Sequence, residues 1–128
     1  DFRAVLCAPG LTADAAPHVD ALRDDFALAD GPARRFVVVA TQGKGDAAAL
    51  SAALAAKPAY LAFVGSRRKF AALSAKLAEG GADPAALARV RAPAGLDIHA
   101  ITPEEIALSV LAEIVAHRRA GQRDAGHV

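Results

Sequence analysis

Short apolar runs alternate along the chain with alanine-rich stretches that have helical spacing. The clearest runs cover residues 36–40 and 60–64 and are apolar throughout, as strands buried on both faces are. A weaker run at residues 2–7 predicts a first strand that ends before Pro9 and Gly10, and residues 21–24 predict a short second strand. Gly31 and Pro32 predict a turn before the next run.

Helix signals fill the intervals between these runs. Asp46 is placed to cap a helix over residues 47–57 that Pro58 ends, and residues 67–79 predict a second helix that ends at Gly80 and Gly81. Asp83 followed by Pro84 predicts the start of a short third helix.

The last predicted helix has the best start in the chain. Thr102 and Glu105 form a capping box, in which Thr102 caps the helix and Glu105 reaches back, and Gly121 predicts its end. Helical spacing predicts a core-facing stripe opposite Glu113 and Arg118, made of Ile106, Val110, Leu111, Ile114 and Val115.

This alternation predicts one α/β domain over residues 1–128, a three-layer Rossmann-like parallel sheet. Hydrophobic residues make up 54% of the chain, which is typical of a globular protein. A net charge of +1 and only five phenylalanines and one tyrosine argue against nucleic-acid binding. No apolar run approaches the ~18 residues of a membrane span, so no membrane partner is expected.

Cys7 is the only cysteine, so no disulfide can form within the chain, and a reducing cytoplasmic location is expected. Its place at the end of an apolar run favours a buried, inert thiol. The chain begins at Asp1 and contains no methionine, which predicts a processed or trimmed product. The scattered histidines predict no metal site.

Ligands of parallel sheets bind outside the carboxyl ends of the strands, so three polar loops are candidates. The loop after residue 40 contains Thr41, Gln42, Gly43 and Lys44, but it lacks the phosphate-loop spacing G-x-x-x-x-G-K-[ST]. It is predicted as a generic ligand-contacting loop. No G-x-G-x-x-G follows the first predicted strand.

The second loop breaks at Gly65 and Ser66 directly into three cations, Arg67, Arg68 and Lys69. Cations at a helix N-terminus cost about 0.3–1 kcal/mol each when exposed, which suggests that they have a function. The unpaired N–H groups of the first turn and these charges together predict a seat for a phosphate. A polar first turn of a surface helix is the alternative.

The third loop, residues 93–99, contains Gly95, Asp97 and His99. Asp97 and His99 could polarise each other, but no nucleophile lies near them, so no catalytic residue is predicted. A structural role, in which Asp97 caps local N–H groups, is favoured. The candidate ligand-binding residues are Thr41, Gln42, Gly43, Lys44, Gly65, Ser66, Arg67, Arg68, Lys69, Gly95 and Asp97.

With these loops and the capping-box helix, the chain resembles the C-terminal domain of the xanthine dehydrogenase accessory factor family, XdhC/CoxI, most strongly over residues 36–119. The resemblance implies a cytoplasmic maturation factor for molybdenum hydroxylases. Such a factor binds molybdopterin-type molybdenum cofactor and helps to insert it into a client such as xanthine or carbon monoxide dehydrogenase.

The chain departs from the family at its start, where the usual first strand, glycine turn and helix are missing. The missing strand would leave a vacant central slot with two unpaired edges. The 2–7 strand could move into the slot, another chain could fill it, or the chain is a fragment.

Two other functions stay open. One is an oxidoreductase-like domain that binds NAD(P) or an adenine nucleotide. The other is an interaction module that forms a homo-oligomer through an unpaired sheet edge. The sequence does not decide whether the protein is an enzyme, although a maturation factor is favoured.

Overall fold

The computed structural model describes residues 4–7, 18–23, 26, 35–41, 43 and 45–126. The strands are β1 (Val5–Cys7), β2 (Ala21–Arg23), β3 (Phe36–Val39) and β4 (Tyr60–Phe63), and the helices are α1 (Asp46–Ala55), α2 (Arg67–Glu79), α3 (Pro84–Ala88) and α4 (Pro103–Gly126). The mixed α/β class is as predicted. The predicted turns at Pro9–Gly10 and Gly31–Pro32 lie outside the described residues.

The strands form two separate parallel pairs, β1 with β2 and β3 with β4. The suggestion that the first strand moves into the central slot is therefore wrong for the described residues, because β1 lies in register with β2 instead. The sheet is Rossmann-like but small and incomplete. Cys7 at the end of β1 is half-buried, less enclosed than its apolar setting predicted.

The strand β4 is the centre of the fold, since it is buried at every position. One edge pairs with β3, and the other pairs with Arg91, whose backbone bonds Leu61 O and Phe63 N at 2.9 and 2.8 Å. The apolar run at residues 60–64 predicted this burial correctly, whereas the run at residues 36–40 did not, because Val38 of β3 is exposed.

The two faces of β4 pack against different helices, which gives the three layers. Leu61 and Phe63 point into a cluster with α1 and α3, against which side chains of α2 also pack. Tyr60 and Ala62 point the other way, against Val110 and Ile114 of α4. The alternation follows from the two-residue repeat of a strand.

Two helix ends differ from the prediction. The helix α1 ends at Ala55, because Lys57 takes a left-handed conformation (φ 51°) before Pro58, and a proline disfavours helical geometry in the residue before it. The helix α4 continues through Gly121 to Gly126, since an interior glycine costs only about 1 kcal/mol and its neighbours are good helix formers. No helix among the described residues is long and apolar enough to cross a bilayer.

The inward face of α4 also differs. Ile106, Val110 and Ile114 pack inward as predicted, but Leu111 and Val115 are exposed. Glu113 is buried, although the sequence interpretation placed it on the solvent side. It lies seven residues, or two helical turns, after Ile106, and therefore on the same inward face.

Candidate functional site

The carboxyl ends of β3 and β4 bring two of the predicted loops together. Val64 N donates to Val39 O at 2.9 Å, so the strands leave the sheet side by side. Thr41 and Gly43 follow β3, and Gly65 and Ser66 follow β4. Gln42 and Lys44, the other two candidates of the first loop, lie outside the described residues.

Asp46 links these two loops. One of its carboxylate oxygens accepts hydrogen bonds from the Thr41 hydroxyl and from Gly43 N, the latter at 3.1 Å. The other carboxylate oxygen lies 3.5 Å from Lys69 Nζ. The loop after β3 is thereby joined to the helix after β4.

The prediction that Asp46 caps α1 is wrong. Gly45 takes the capping position, with φ 81° and no side-chain bond, and Asp46 is the first helical residue. Its carboxylate turns back over the loop because Thr41 and Gly43 offer donors there. A carboxylate in the first turn of a helix also interacts favourably with the helix dipole.

The environment of Asp46 keeps it ionised. The hydrogen bond from the Thr41 hydroxyl is the largest cause, and together with the charge of Lys69 and the Gly43 N–H it lowers the pKa of the Asp46 carboxyl, against the opposing effect of burial. Asp46 is therefore a carboxylate at neutral pH. Part of the charge of Lys69 is neutralised by its pairing with Asp46.

The helix α2 begins at Arg67, as the sequence predicted. Ser66 takes the capping position, and its hydroxyl accepts from Lys69 N at 3.1 Å. Arg67 and Arg68 are exposed, and within the described part of the chain neither forms an ion pair. Because Lys69 is paired with Asp46, the positive charge that stays unpaired at this helix start is that of the two arginines.

Gly65 is required by close packing. A Cβ at this position would lie 2.5 Å from Phe63 Cε2, a distance that real side chains do not reach. The turn therefore runs directly over the buried Phe63 ring, and glycine is the residue that fits there.

The third loop is fastened to the protein by three backbone groups. Ala94 N donates to Phe63 O at 3.0 Å, Gly95 N donates to Glu113 Oε1 at 3.2 Å, and Leu96 N donates to Ser109 O at 3.1 Å. Gly95 has φ +96°, and a Cβ there would overlap Ser109 Oγ. The loop thus lies against both the end of β4 and the body of α4.

Glu113 Oε1 also accepts a hydrogen bond from the Tyr60 hydroxyl, at 2.5 Å. The Tyr60 ring lies 5.7 Å from the His117 ring and 6.4 Å from Phe36, centroid to centroid. Burial, followed by the hydrogen bond to Glu113 and its charge, raises the pKa of the Tyr60 phenol. Tyr60 is therefore a hydrogen-bond donor at neutral pH, and it orients Glu113 towards Gly95.

Asp97 and His99 stand apart from this arrangement. Their side chains are 88% and 92% exposed, with Asp97 Oδ1 3.9 Å from His99 Nδ1. Asp97 accepts from His99 N at 3.4 Å, so it caps a local N–H group as the structural interpretation proposed. No described contact joins Asp97 to Ser66 or Arg67.

Asp46 and Glu113 are the residues whose part in the site the sequence did not reveal. Asp46 was interpreted only as a helix cap. For Glu113 a signal existed, because its spacing from Ile106 and Val110 places it on the inward face of α4. Within the described residues, no group of three or more His, Cys, Asp or Glu side chains could hold a metal ion.

The chain is similar to proteins of known sequence and of known structure. It is 42% identical over 80 residues to the uncharacterized protein YqeB of Escherichia coli (strain K12), a match that covers 62% of this chain and 15% of that protein. It superimposes on a crystal structure described as a xanthine dehydrogenase from Bacillus halodurans with a TM-score of 0.70 at 25% identity.

The structural match covers 98% of this chain and 38% of that chain, so the chain spans well under half the length of both proteins. The strongest evidence is the match of a family profile, that of the XdhC Rossmann domain, to residues 1–114. That match includes all the loops described above and the first half of α4. The chain therefore belongs to the XdhC Rossmann-domain family.

Proposed function

We propose that this domain is part of a maturation factor for molybdenum hydroxylases, and that it holds the phosphate of molybdopterin at the start of α2. The family and the xanthine dehydrogenase neighbour support the maturation role and a client enzyme of that type. Molybdopterin is here a cargo that is bound and passed on. The chain's own task is to bind and orient it.

The observation that carries the proposal is the division of charge at the start of α2. Asp46 pairs with Lys69, whereas Arg67 and Arg68, in the first turn of the helix, are exposed and form no ion pair with a described residue. Guanidinium groups bind phosphate oxygens through two parallel N–H bonds, so two arginines beside a helix start suit a phosphate ester.

The residues around this seat fit such a group. Gly65 lets the turn pass over the Phe63 ring, Ser66 fixes the first turn, and the Asp46–Lys69 pair joins the neighbouring loop to α2. Gly95 N is already bonded to Glu113, so Gly95 shapes the edge of the site through its backbone. Asp97, which is exposed beyond this edge, is proposed at most as an outer contact.

The test is a titration of the purified chain with molybdopterin, followed by fluorescence or calorimetry. We expect saturable binding that weakens at least about tenfold in Arg67→Ala/Arg68→Ala, because each lost charged hydrogen bond costs about 1.5–3 kcal/mol. Lys76→Ala is the matched control, since it removes a cation from the last turn of the same helix. Binding that is absent, or equal in both variants, would overturn the proposal.

The same titration tests the nucleotide alternative, because a phosphate seat also accepts NAD, NADP, AMP or ADP. Tight binding of one of these, without binding of molybdopterin, would favour a nucleotide-binding domain of the oxidoreductase type. Inorganic phosphate as competitor shows whether the seat itself is used. Co-purification with a xanthine dehydrogenase-type enzyme tests the client.

A further inference from the structure

The loop after β4 has a neighbouring loop on each side. The strand β4 lies between β3 and the backbone of Arg91, and all three segments run in the same direction. The turn at Gly65 and Ser66 is therefore flanked by the loop after β3 on one side and by the 93–99 loop on the other. The hydrogen-bonding groups that each loop leaves unpaired determine which atoms of a ligand it can bind.

The 93–99 loop begins with a stretch, residues 93–96, that has no free backbone donor. Pro93 has no N–H group, and the N–H groups of residues 94–96 are bonded to β4 and α4 at 3.0 to 3.2 Å. The carbonyl oxygens of residues 93–95 accept no hydrogen bond from the described part of the chain, and Ala94 and Gly95 are half-buried. The backbone of this stretch therefore offers a ligand only acceptors.

The described part of the loop after β3 is similar. Asp46 accepts hydrogen bonds from the Thr41 hydroxyl and from Gly43 N, so both of these donors are bonded within the protein. The Thr41 oxygen can still accept, because a hydroxyl that donates one hydrogen bond keeps its lone pairs. The described groups on this side of the turn are therefore also acceptors for a ligand.

The loop after β4 has the opposite polarity. The backbone N–H groups of residues 65–68 donate to no acceptor in the described part of the chain, whereas Lys69 N is bonded to Ser66 Oγ at 3.1 Å. The exposed guanidinium groups of Arg67 and Arg68 are donors as well. The edge of the sheet thus has a strip of donors between two strips of acceptors.

We propose that the carbonyl oxygens of residues 93–95 recognise an amino group on the ligand, so that the site selects phosphate esters of an amino-bearing heterocycle. The phosphate, which only accepts, meets the donors of residues 65–68, and the amino group, which donates, meets the loop carbonyls. A ligand without the amino group leaves these half-buried carbonyls unpaired, which weakens its binding. Pterin and guanine rings both carry such a group. The inference rests on the proposed phosphate seat.

Glu113 fixes the polarity of the 93–99 loop. Its buried carboxylate accepts from Gly95 N at 3.2 Å and from the Tyr60 hydroxyl at 2.5 Å, so the Gly95 N–H is bonded within the protein and is not free for a ligand. The acceptors of the loop are therefore arranged before a ligand binds, which lowers the entropic cost of binding. Glu113 acts through Gly95 and is a positioning residue.

The first experiment compares guanosine monophosphate with inosine monophosphate, which lacks only the exocyclic amino group, by calorimetry on the 128-residue chain. We expect guanosine monophosphate to bind about three- to tenfold more tightly, because inosine monophosphate loses one hydrogen bond to a neutral acceptor. Inorganic phosphate should displace both nucleotides, and Arg67→Ala/Arg68→Ala should weaken both by the same factor.

The outcomes separate this inference from the phosphate seat. Equal affinities of the two nucleotides, with displacement by phosphate intact, would overturn the inference and leave the seat standing. The absence of guanosine monophosphate binding would also overturn it, and the molybdopterin titration then decides on the seat by itself. Nucleotide binding that resists phosphate and tolerates the loss of both arginines would count against the seat and the inference together.

The second experiment tests the positioning role of Glu113 through the ratio of the two affinities. Glu113→Ala frees the Gly95 N–H, so the ratio should fall towards one, whereas Glu113→Gln keeps an oxygen for Gly95 and should keep the ratio. A merely structural loss would weaken both nucleotides alike and leave the ratio unchanged. Far-ultraviolet circular dichroism confirms that the variants are folded at the temperature used. An unchanged ratio in Glu113→Ala would overturn the assigned role.

Discussion

Each of two carboxylates holds one of the candidate ligand-binding loops in place, but one carboxylate lies near solvent and the other is buried. Asp46, at the start of α1, holds the loop after β3 by way of Thr41 and Gly43 and is paired with Lys69. Glu113, in the middle of α4, holds the 93–99 loop through Gly95 and accepts a hydrogen bond from the Tyr60 phenol.

The two carboxylates differ in whether water can replace their hydrogen-bonding partners. Water can take over bonds at the edge where Asp46 and the half-exposed Lys69 meet, so losing one partner there costs little. Around Glu113, water has little access, and each lost bond leaves a buried polar group unsatisfied. We therefore expect the Glu113 side to govern stability and the Asp46 side to govern the charge that a ligand meets.

The largest effect should come from Gly95→Ala. The added Cβ meets Ser109 at a backbone with φ +96°, so overpacking and backbone strain combine to about 2–4 kcal/mol of lost unfolding free energy. Gly81→Ala separates the two causes, because Gly81 has φ +105° but nothing within 4 Å. Urea unfolding of both variants checks this, and equal losses would show that the contact with Ser109 is unimportant.

Next comes Glu113→Ala, which leaves Tyr60 Oη and Gly95 N without their acceptor. We expect a loss of about 2 kcal/mol, against about 1 kcal/mol for Asp46→Ala at its more solvated site. Thermal and urea unfolding at pH 7 measure both. If Asp46→Ala were the more damaging of the two, the contrast between the sites would be reversed.

Alkaline pH should act through Tyr60. Because its folded pKa is raised above the ordinary value of about 10, the stabilisation is complete below that pH and is lost as the pH rises towards the folded pKa. Tyr60 is the only tyrosine, so absorbance at the phenolate band reports it directly. Phenolate should form only as the chain unfolds, and Tyr60→Phe should unfold with a shallower alkaline dependence.

Acid pH should act through Asp46, with the opposite sign. Its folded pKa is lowered, so its stabilisation is present above the unfolded value of about 3.9 and is lost as the pH falls through the folded pKa. Unfolding free energies measured from pH 6 down to pH 2 should fall less steeply in Asp46→Asn than in the unaltered chain. Parallel curves would mean that Asp46 is not ionically stabilised.

The smallest effect on stability should be that of Lys69→Met. A half-exposed ion pair contributes less than about 1 kcal/mol, so the melting temperature should change little. The variant nevertheless leaves Asp46 unneutralised beside the proposed phosphate seat, and molybdopterin binding should weaken more than stability does. Equal losses in both measurements would assign Lys69 a mainly structural role.

Most elements of the fold could be predicted from residues that are close to one another in the sequence. The bounds of α2, the Thr102–Glu105 capping box and the burial of β4 all follow from neighbouring residues and were predicted from the sequence. The pairing of β1 with β2 was not anticipated, because strands this short carry little pairing information of their own.

The site was harder to predict, because its links span long stretches of chain. The contact between Asp46 and Lys69 joins two helices, and the contact of Tyr60 with Glu113 joins residues 53 positions apart. A sequence pattern shows that Arg67 and Arg68 are at a helix start, but it does not show that Lys69 is neutralised nearby. Side-chain geometry supplies that fact.

The position of β4 also determines which backbone amides are exposed to solvent only when the protein unfolds globally. Its amides are hydrogen-bonded within a strand that is buried on both faces, with β3 along one edge and Arg91 along the other. No small fluctuation frees them, so their exchange with deuterium should require unfolding of the whole α1–α4 unit. The amide of Phe63, which donates to Arg91 O at 2.8 Å, therefore reports the global stability of the native protein, and the stability of each variant can be compared through its exchange rate.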